Sequence, residues 1–291
     1  MSTGGGRASG FPEALSGLPG GLREKLGVLR RDLPASFPLV VAYSGGVDSS
    51  CLLALAGILA GEAGAECLGV IADSPSLPRK ALAAALAQAE QIGVRIEVLA
   101  TAEFEDPRYV ANPPDRCYFC KAELFRRMDA LAAERGFAAI AYGENADDPP
   151  GQRPGSRAAG EFHVLAPLRA AGLRKADVRA VARVLGLASS DAPAAPCLSS
   201  RIPHGTPVTL DALACVERGE EAVRTMGFPI VRVRYVPGRE PGGAPSALVQ
   251  VPPGEVARLE AAAGELRGVL RAAGFAEARV DPAGYRGAGL A

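Results

Sequence analysis

Residues 39–50, with the sequence LVVAYSGGVDSS, carry the strongest indication of the fold. The first five are apolar and follow Pro38, as expected for a strand that is buried on both faces. Two glycines and small polar residues come next, and an apolar segment of helical length then begins. A buried strand that turns through glycines into a helix is typical of an α/β protein with a parallel sheet.

Strand-like and helix-like segments alternate on both sides of this stretch. The predicted order is helix 22–33, strand 39–43, helix 49–59, strand 67–72, helix 79–92, strand 94–99, helix 121–135, strand 138–142 and helix 174–185. This alternation predicts a doubly wound parallel sheet, and the Pro-, Gly- and Arg-rich residues 143–160 are expected to form an ordered functional loop.

The remaining chain predicts a second, smaller α/β domain. Its elements are a helix from 209, strands 230–236 and 247–251, a helix over 256–273 and a strand over 278–281. The expected organisation is a flexible leader over 1–20, a first domain over 21–203 and the small domain over 204–291.

The composition excludes several classes of protein. Of 291 residues 48% are hydrophobic, which excludes wholesale disorder, and 32 basic residues balance 32 acidic ones. A net charge of zero provides no global positive field for a long nucleic acid or an anionic membrane. No segment is apolar enough to span a bilayer and no secretion signal is visible, so we expect a cytoplasmic protein whose six cysteines are reduced.

The segment between the first strand and its helix is a candidate phosphate loop. The glycines allow the backbone to curl around an anion, while successive N–H groups and the helix N-terminus attract it. The alternative is an ordinary glycine-rich turn capped by Ser or Asp. Neither the Walker nor the Rossmann pattern is present. The candidate residues are Ser44, Gly45, Gly46, Val47, Asp48, Ser49 and Ser50.

Residues 44–49, SGGVDS, resemble the PP-loop of ATP pyrophosphatases. The resemblance implies that the protein binds ATP and releases pyrophosphate while it adenylates a substrate. It also implies that Asp48 helps to hold magnesium. Asp73 and Ser74, at the end of the second strand, would then belong to the adenine and ribose pocket, although Asp73 is equally suited to capping a turn.

Three cysteines lie in segments without regular apolar periodicity. Cys117 and Cys120 form a CxxC motif predicted to lie just before a helix, where two thiolates can turn toward one metal ion or cluster. Cys197 lies in a separate irregular segment, and His204 offers a fourth ligand for a structural zinc. The other three cysteines have apolar neighbours and are predicted to be core residues: Cys51, Cys67 and Cys215.

From about residue 35 to about 240, the chain resembles the LarE family of ATP-dependent sulfur transferases. The strings that carry the resemblance are 72–78 (ADSPSLP), 112–121 (NPPDRCYFCK), 143–148 (GENADD) leading to 153–155 (RPG), 167–168 (PL) and 196–203 (PCLSSRIP). Members adenylate a carboxylate of pyridinium biscarboxylic acid mononucleotide and convert it to a thiocarboxylate, a step toward the nickel-pincer cofactor of lactate racemase. Family members assemble as hexamers.

The resemblance assigns further roles to individual residues. Cys117, Cys120 and Cys197 would hold a 4Fe-4S cluster that carries an extra sulfide, supplied as sulfide or by a sulfur donor. Gly143 would belong to the nucleotide site. Ser200 and Arg201 would face the phosphate or carboxylate of the substrate, together with Arg232 and Arg234. These last two alternate on one strand face, where the other interpretation is a pair of solvated charges.

Other interpretations stay open at this point. Single-cysteine members of the family sacrifice their own thiol, and Cys197 matches that cysteine. A PP-loop tRNA thiolase and a nucleotide-binding module with a structural zinc are the alternative functions, although no RNA-binding face is expected. The chain departs from the family pattern over 237–251, so metal and subunit contacts placed there in other members are not expected to carry over. It also has Ala192 where the family has Lys, and 284–286 keeps only part of the family pattern.

Overall fold

A computed structural model describes residues 10–149, 154–193, 195–238, 240 and 243–285. The chain divides into two compact units. Unit one takes its described residues from 1–73, 79–101 and 117–192, and unit two from 74–78, 102–116 and 193–291. The units group residues that pack together in space and do not test where the domains begin and end. The domains over 21–203 and 204–291 therefore stay a prediction.

The described residues contain seven strands and twelve α-helices. The strands are β1 (Leu39–Tyr43), β2 (Cys67–Asp73), β3 (Ile96–Ala100), β4 (Ala139–Tyr142), β5 (Arg232–Val236), β6 (Ser246–Gln250) and β7 (Glu277–Val280). The helices are α1 (Phe11–Ala14), α2 (Gly20–Asp32), α3 (Val47–Ala63), α4 (Arg79–Ile92), α5 (Pro107–Val110), α6 (Arg116–Arg135), α7 (Pro154–Glu161), α8 (Pro167–Ala170), α9 (Lys175–Val184), α10 (Leu210–Thr225), α11 (Val256–Ala261) and α12 (Ala263–Ala273).

Unit one is built on a parallel sheet with the strand order β3-β2-β1-β4. All five residues of β1 are buried, as expected for a strand covered on both faces. The chain leaves β1 toward β2 on one side and reaches β4 on the other, so the carboxyl ends of β1 and β4 form a topological switch point, where open α/β sheets bind ligands. The predicted parallel α/β fold is confirmed.

Helix α6 begins earlier than the sequence suggested. The CxxC motif was expected just before the helix, but α6 starts at Arg116, so Cys117 and Cys120 lie in its first turns. Pro113 and Pro114 set the limit of this earlier start, because proline disfavours helical backbone in the residue before it. The motif is therefore held on regular helical backbone.

The segment predicted as a functional loop over 143–160 contains a helix as well. Its described residues are 143–149 and the part that belongs to α7, whereas Arg153 of the quoted string lies outside the described residues. The predicted leader also contains structure in its described part, because α1 lies there and Phe11, Leu15 and Leu18 are buried.

Unit two contains a three-stranded sheet with the order β5-β6-β7. Strands β5 and β6 are antiparallel, and β6 and β7 are parallel. Helices α10 and α12 pack against each other, and the helix predicted over 256–273 is divided at Ala262 into α11 and α12. Across the described residues of both units, no helix combines the length and the apolar character needed to cross a membrane.

Candidate active site

The phosphate loop occupies the turn between β1 and α3, at the switch point of the sheet. Gly46 is the residue before the first helical position of α3, and Gly45 has a positive φ of 75°. A Cβ atom on Gly45 would lie 2.7 Å from the Cβ of Ala85, so only glycine fits here. The loop lies directly at the N-terminus of α3, a 17-residue helix whose first backbone amides favour binding of an anion.

Hydroxyl groups fix the conformation of this loop. The Ser49 Oγ accepts a hydrogen bond from the Ser44 backbone N–H at 3.1 Å and donates to the Gly46 carbonyl at 3.0 Å. The Ser50 hydroxyl donates to the same carbonyl at 2.9 Å and accepts a hydrogen bond from Gln88. Ser44 and Gly46 are exposed, whereas Val47, Ser49 and Ser50 are buried. The loop therefore presents Ser44 and its glycines to a ligand, while the buried hydroxyls of Ser49 and Ser50 support the loop from the protein interior.

Asp48 is engaged by two side chains from other elements. Its Oδ2 atom lies 2.5 Å from the Nζ atom of Lys175, the first residue of α9. Its Oδ1 atom accepts a hydrogen bond of 3.3 Å from Asn145. Because a carboxylate oxygen is the protein ligand that Mg²⁺ prefers, Asp48 fits the predicted role of a magnesium ligand.

The segment after β4 packs directly on the phosphate loop. A Cβ atom on Gly143 would lie 2.6 Å from the Ser49 backbone nitrogen and 2.7 Å from the Asp48 carbonyl carbon. Asp147 in the same segment accepts a hydrogen bond of 2.8 Å from the Lys175 backbone N–H. The predicted site residues Gly143 and Asp48 are thus neighbours, and residues 143–149 connect the loop to the start of α9.

Glu144 anchors this segment to its surroundings. The carboxylate is buried, forms an ion pair of 2.8 Å with Arg169 and accepts a hydrogen bond from Ser156. Burial by itself would raise the pKa of Glu144, but the hydrogen bonds from Ser156, Tyr142 and Arg169 outweigh it and lower the pKa. Burial first, and then the neighbouring Glu144, raises the pKa of Tyr142. Glu144 is consequently ionised at neutral pH and holds the segment in place.

The two residues predicted for the adenine and ribose pocket lie in different surroundings. Asp73 ends β2 in unit one and forms an ion pair with Arg79. Ser74 is buried in unit two, where its hydroxyl bonds to Glu103 and accepts a hydrogen bond of 3.0 Å from the Ser76 backbone N–H. Asp73 is thus at the carboxyl end of the sheet, whereas the Ser74 hydroxyl supports a buried turn.

The CxxC pair lies on one face of α6 in unit one. Cys117 is exposed and Cys120 is half-buried, and residues three apart on a helix are neighbours on its surface. Thiolates are the ligands that iron–sulfur clusters require, so this pair fits part of a cluster donor set. No group of three or more His, Cys, Asp or Glu side chains that could hold a metal ion is found among the described residues.

The other three cysteines are the predicted core residues, and His204 is the fourth ligand of the structural-zinc alternative. Cys51 is buried, Cys67 and Cys215 are half-buried, and His204 is exposed. Burial and the nearby Glu66 raise the pKa of Cys67 to about 12, and burial also raises the pKa of Cys51. These raised pKa values keep Cys51 and Cys67 as thiols, which suits core residues better than metal ligands.

Cys197 lies in unit two, immediately before a 3₁₀ turn over Leu198–Arg201. Its carbonyl accepts hydrogen bonds from the Ser200 hydroxyl at 2.8 Å and from the Arg201 Nη1 at 2.9 Å. Arg201 is buried, also donates to the Pro196 carbonyl and forms an ion pair of 2.7 Å with Glu220. The predicted site residues Ser200 and Arg201 therefore hold the backbone around Cys197 through these contacts.

A buried hydroxyl network supports the same turn. The Ser76 hydroxyl lies 2.6 Å from both the Tyr109 hydroxyl and the Ser199 hydroxyl, and the last two are 2.9 Å apart. The Leu198 backbone N–H donates to the Ser76 carbonyl at 2.8 Å, and Arg116 donates to the Ser199 carbonyl at 2.9 Å. Residues 74–78 of the quoted string thus contribute to unit two by supporting the Cys197 turn.

Arg232 and Arg234 lie on β5 in the same unit. Arg232 is buried, and its guanidinium lies 4.9 Å from the centre of the Tyr285 ring. Arg234 donates to the Ser200 carbonyl at 2.7 Å and to the Gln250 side-chain oxygen at 2.8 Å. Burial first, and then the charge of Arg201, lowers the pKa of both arginines. The charge of Glu220 opposes this effect, and a bound anion would add a further partner for Arg232 and Arg234, as the predicted substrate site requires.

Several residues of these sites were missed at the sequence level. Lys175, Gln88 and Glu220 did not stand out, although one signal for Glu220 was present. It shares a helix face with Val216 and Val223, both buried, and a carboxylate on an apolar face needs a buried partner. Lys175 had no such signal, because its partner Asp48 is 127 positions away in the chain.

Comparisons with known proteins identify relatives along most of the chain. A protein of Synechocystis sp., described as uncharacterized, is 36% identical over 267 residues, covering 91% of this chain and 96% of the relative. The pyridinium-3,5-bisthiocarboxylic acid mononucleotide synthase of Lactiplantibacillus plantarum is 34% identical over 197 residues, covering 68% and 71%. An uncharacterized protein of Methanocaldococcus jannaschii is 28% identical over 214 residues, covering 72% and 80%. No protein-family model matches the chain.

Proposed function

The chain belongs to the LarE family of sulfur transferases, and we propose on this premise that it uses ATP to adenylate a carboxylate of pyridinium biscarboxylic acid mononucleotide and converts that group to a thiocarboxylate. The similarity to a synthase of the bisthiocarboxylic acid mononucleotide supports the overall reaction. The phosphate loop supports the use of ATP. The cysteines support delivery of sulfur through a 4Fe-4S cluster.

The observation that carries the proposal is the position of the loop over 44–50. It lies at the carboxyl end of β1, where the sheet reverses its direction of winding, and it ends on the N-terminus of a long buried helix. Gly45 supplies the positive φ that the turn needs, Gly46 leaves the side of the loop facing a ligand uncrowded, and Asp48 offers a carboxylate for Mg²⁺. This combination suits a nucleoside triphosphate whose departing pyrophosphate is bound by the loop.

The chemistry explains why ATP would be needed. A carboxylate resists attack by sulfur because oxide is a poor leaving group, whereas the acyl adenylate releases AMP. The loop amides and the Ser44 hydroxyl would stabilise charge on the departing pyrophosphate. In unit two, the guanidinium groups of Arg232 and Arg234 would bind the anionic groups of the mononucleotide. An anionic sulfur nucleophile needs no general base.

The proposed cluster would be held by Cys117, Cys120 and Cys197. When bound, such a cluster supplies sulfur at the sulfide level to the activated carboxylate. The turn held by Ser200 and Arg201 would position the Cys197 thiolate, and the start of α6 would position the other two.

The substitution Asp48→Asn tests the use of ATP. It retains the side-chain size but removes the charge, so substrate-dependent release of pyrophosphate should be abolished while the protein stays folded. Asp129→Asn, at an exposed position of α6, is the matched control and should release pyrophosphate at the wild-type rate. Wild-type release by Asp48→Asn would contradict the assignment of the loop.

Anaerobic reconstitution tests the cluster. We expect about four irons per chain, and we expect Cys117→Ala, Cys120→Ala and Cys197→Ala each to prevent their incorporation. Cys51→Ala is the control, since Cys51 is buried in α3 and should not affect iron uptake. Stoichiometric zinc in the native protein, with no iron uptake after its removal, would favour the structural-zinc alternative.

The intact mass of the protein after reaction distinguishes delivery through a cluster from sacrifice of Cys197. With sulfide supplied, we expect several turnovers and an unchanged mass of the apoprotein, because three cluster ligands survive the reaction. If Cys197 were the donor, it would lose hydrogen sulfide and become dehydroalanine. Product formation that stops at one sulfur per chain, with that loss of mass in the Cys197 peptide, would place the chain among the sacrificial members.

A further inference from the structure

The phosphate loop contains no basic residue of its own. Residues 44–50 are SGGVDSS, whereas the Walker loop carries a lysine that reaches the phosphates. A basic side chain nevertheless contacts the loop from a distant part of the chain. The Lys175 ammonium lies 2.5 Å from Asp48 Oδ2, and its side chain is 40% exposed, so the ion pair borders solvent at the mouth of the site.

The backbone of Lys175 is fixed, while its side chain can turn. Its N–H donates to Asp147 at 2.8 Å, and α9 begins at this residue with a capping box that involves Asp177. The four-carbon side chain leaves its ammonium free to move by several ångströms about this anchor. Neighbouring basic residues are paired elsewhere, Arg169 with Glu144 and Lys25 with Asp177. Lys175 is therefore well placed to reach phosphates in the loop.

We propose that Lys175 is the phosphate-binding cation of this loop and that it exchanges partners when the ligand binds. Before binding, its ammonium neutralises Asp48. On binding of magnesium with a polyphosphate, Asp48 turns to the metal ion and the ammonium turns to the phosphate oxygens. The exchange rests on the proposed use of ATP and adds to it a specific residue from α9.

The exchange predicts opposite effects on two ligands. A bare divalent cation must displace the Lys175 ammonium from Asp48, so removal of the ammonium should strengthen binding of the cation. A polyphosphate with magnesium gains the ammonium as a partner, so the same removal should weaken its binding. A role of Lys175 in folding alone would not move the two affinities in opposite directions.

The test compares wild type, Lys175→Met and Lys175→Arg. Binding of Mn²⁺ alone is measured by the electron paramagnetic resonance signal of the unbound ion, and binding of pyrophosphate with Mg²⁺ is measured by calorimetry. For Lys175→Met we expect Mn²⁺ to bind several-fold more tightly. We expect pyrophosphate to bind more weakly by a factor of about ten or more, which is the size expected for loss of a charged hydrogen bond. Lys175→Arg should retain most of the pyrophosphate affinity.

Lys25→Met is the matched control. It removes a lysine that pairs with Asp177 at 2.6 Å, at a similar exposure and in the same unit, and it should change neither affinity. If Lys175→Met unfolds, Lys175→Gln takes its place in both measurements. Unchanged affinity of the neutral variant for either ligand overturns the exchange. Failure of the wild-type protein to bind pyrophosphate with Mg²⁺ overturns the use of ATP itself, and the exchange with it.

Discussion

Arg201 and Glu220 form a two-pronged ion pair inside unit two. The Arg201 Nε and Nη2 atoms lie 2.7 and 3.3 Å from the two carboxylate oxygens of Glu220, and the side chains are 2% and 1% exposed. Glu220 also accepts hydrogen bonds from Arg224 and from the Val233 backbone N–H. One carboxylate thus connects the Cys197 turn, α10 and β5.

Replacement of this carboxylate should destabilise the protein strongly. Glu220→Gln leaves the buried Arg201 guanidinium without a counter-charge, so we expect a loss of about 3–5 kcal/mol in the free energy of unfolding. Urea unfolding measures the loss. Glu221→Gln is the control, because the Glu221 side chain is 37% exposed and lies 3.8 Å from Arg224, so its replacement should cost less than about 1 kcal/mol. Equal stabilities of the two variants would contradict the importance of the buried pair.

Gly143→Ala should displace the phosphate loop. The added Cβ would lie within 2.6–2.8 Å of three backbone atoms of Asp48 and Ser49, which cannot move aside as a side-chain tip can. A shift of the loop by about 1 Å should lower the rate of pyrophosphate release on the order of a hundredfold.

Gly160→Ala shows whether any added methyl group has this effect. Gly160 lies in α7 with no atom within 4 Å of the added Cβ, so the pyrophosphate rate should stay at the wild-type level. A wild-type rate for Gly143→Ala would show that the loop tolerates displacement.

The arrangement of strands was predictable because its signals are local. The apolar run at 39–43 predicted β1 with its exact bounds. Gly93 and Gly136, with φ of 77° and 73°, follow α4 and α6, where left-handed glycines commonly end helices. Apolar periodicity and glycine stops depend only on neighbouring residues, so the alternation of strands and helices could be inferred without tertiary information.

The contacts at the site were less predictable because they join distant parts of the chain. Asp48 was a candidate on its own, but its partners Lys175 and Asn145 lie 127 and 97 positions away. Gln88 contacts Ser50 across 38 positions and accepts a hydrogen bond of 2.8 Å from the Ser189 N–H across 101 positions. Lys175 and Gln88 carry no local sign of such partners, so their roles become visible only in the folded chain.

The cysteines should differ in their reactivity toward an alkylating agent. In metal-free protein at pH 8, iodoacetamide should label the exposed Cys117 first. Because the pKa of Cys67 is raised to about 12, only about one Cys67 side chain in ten thousand is a thiolate at that pH, so its labelling should be slow. Cys51 should stay unlabelled until the protein unfolds, since it is fully buried. Peptide mass analysis over time measures the order, and labelling of Cys67 as fast as Cys117 would contradict the burial of its thiol.

Glu144 should make the stability of unit one depend on pH. Its pKa is lowered in the folded protein from an ordinary value of 4.5, because its hydrogen bonds from Ser156, Tyr142 and Arg169 outweigh burial. A carboxylate with a lowered pKa stabilises the folded state above its unfolded pKa and loses this contribution as the pH falls through the lower, folded value.

Glu144→Gln should therefore be less stable than wild type at pH 7, and the difference between the two should shrink once the pH falls below 4.5. Urea unfolding of both proteins at several pH values between neutral and about 3 measures the difference. Glu97→Gln, which removes the charge of the half-buried partner of Arg135, is the control that should show little change. A difference that stayed constant across this range would mean that Glu144 contributes through its shape and not through its charge.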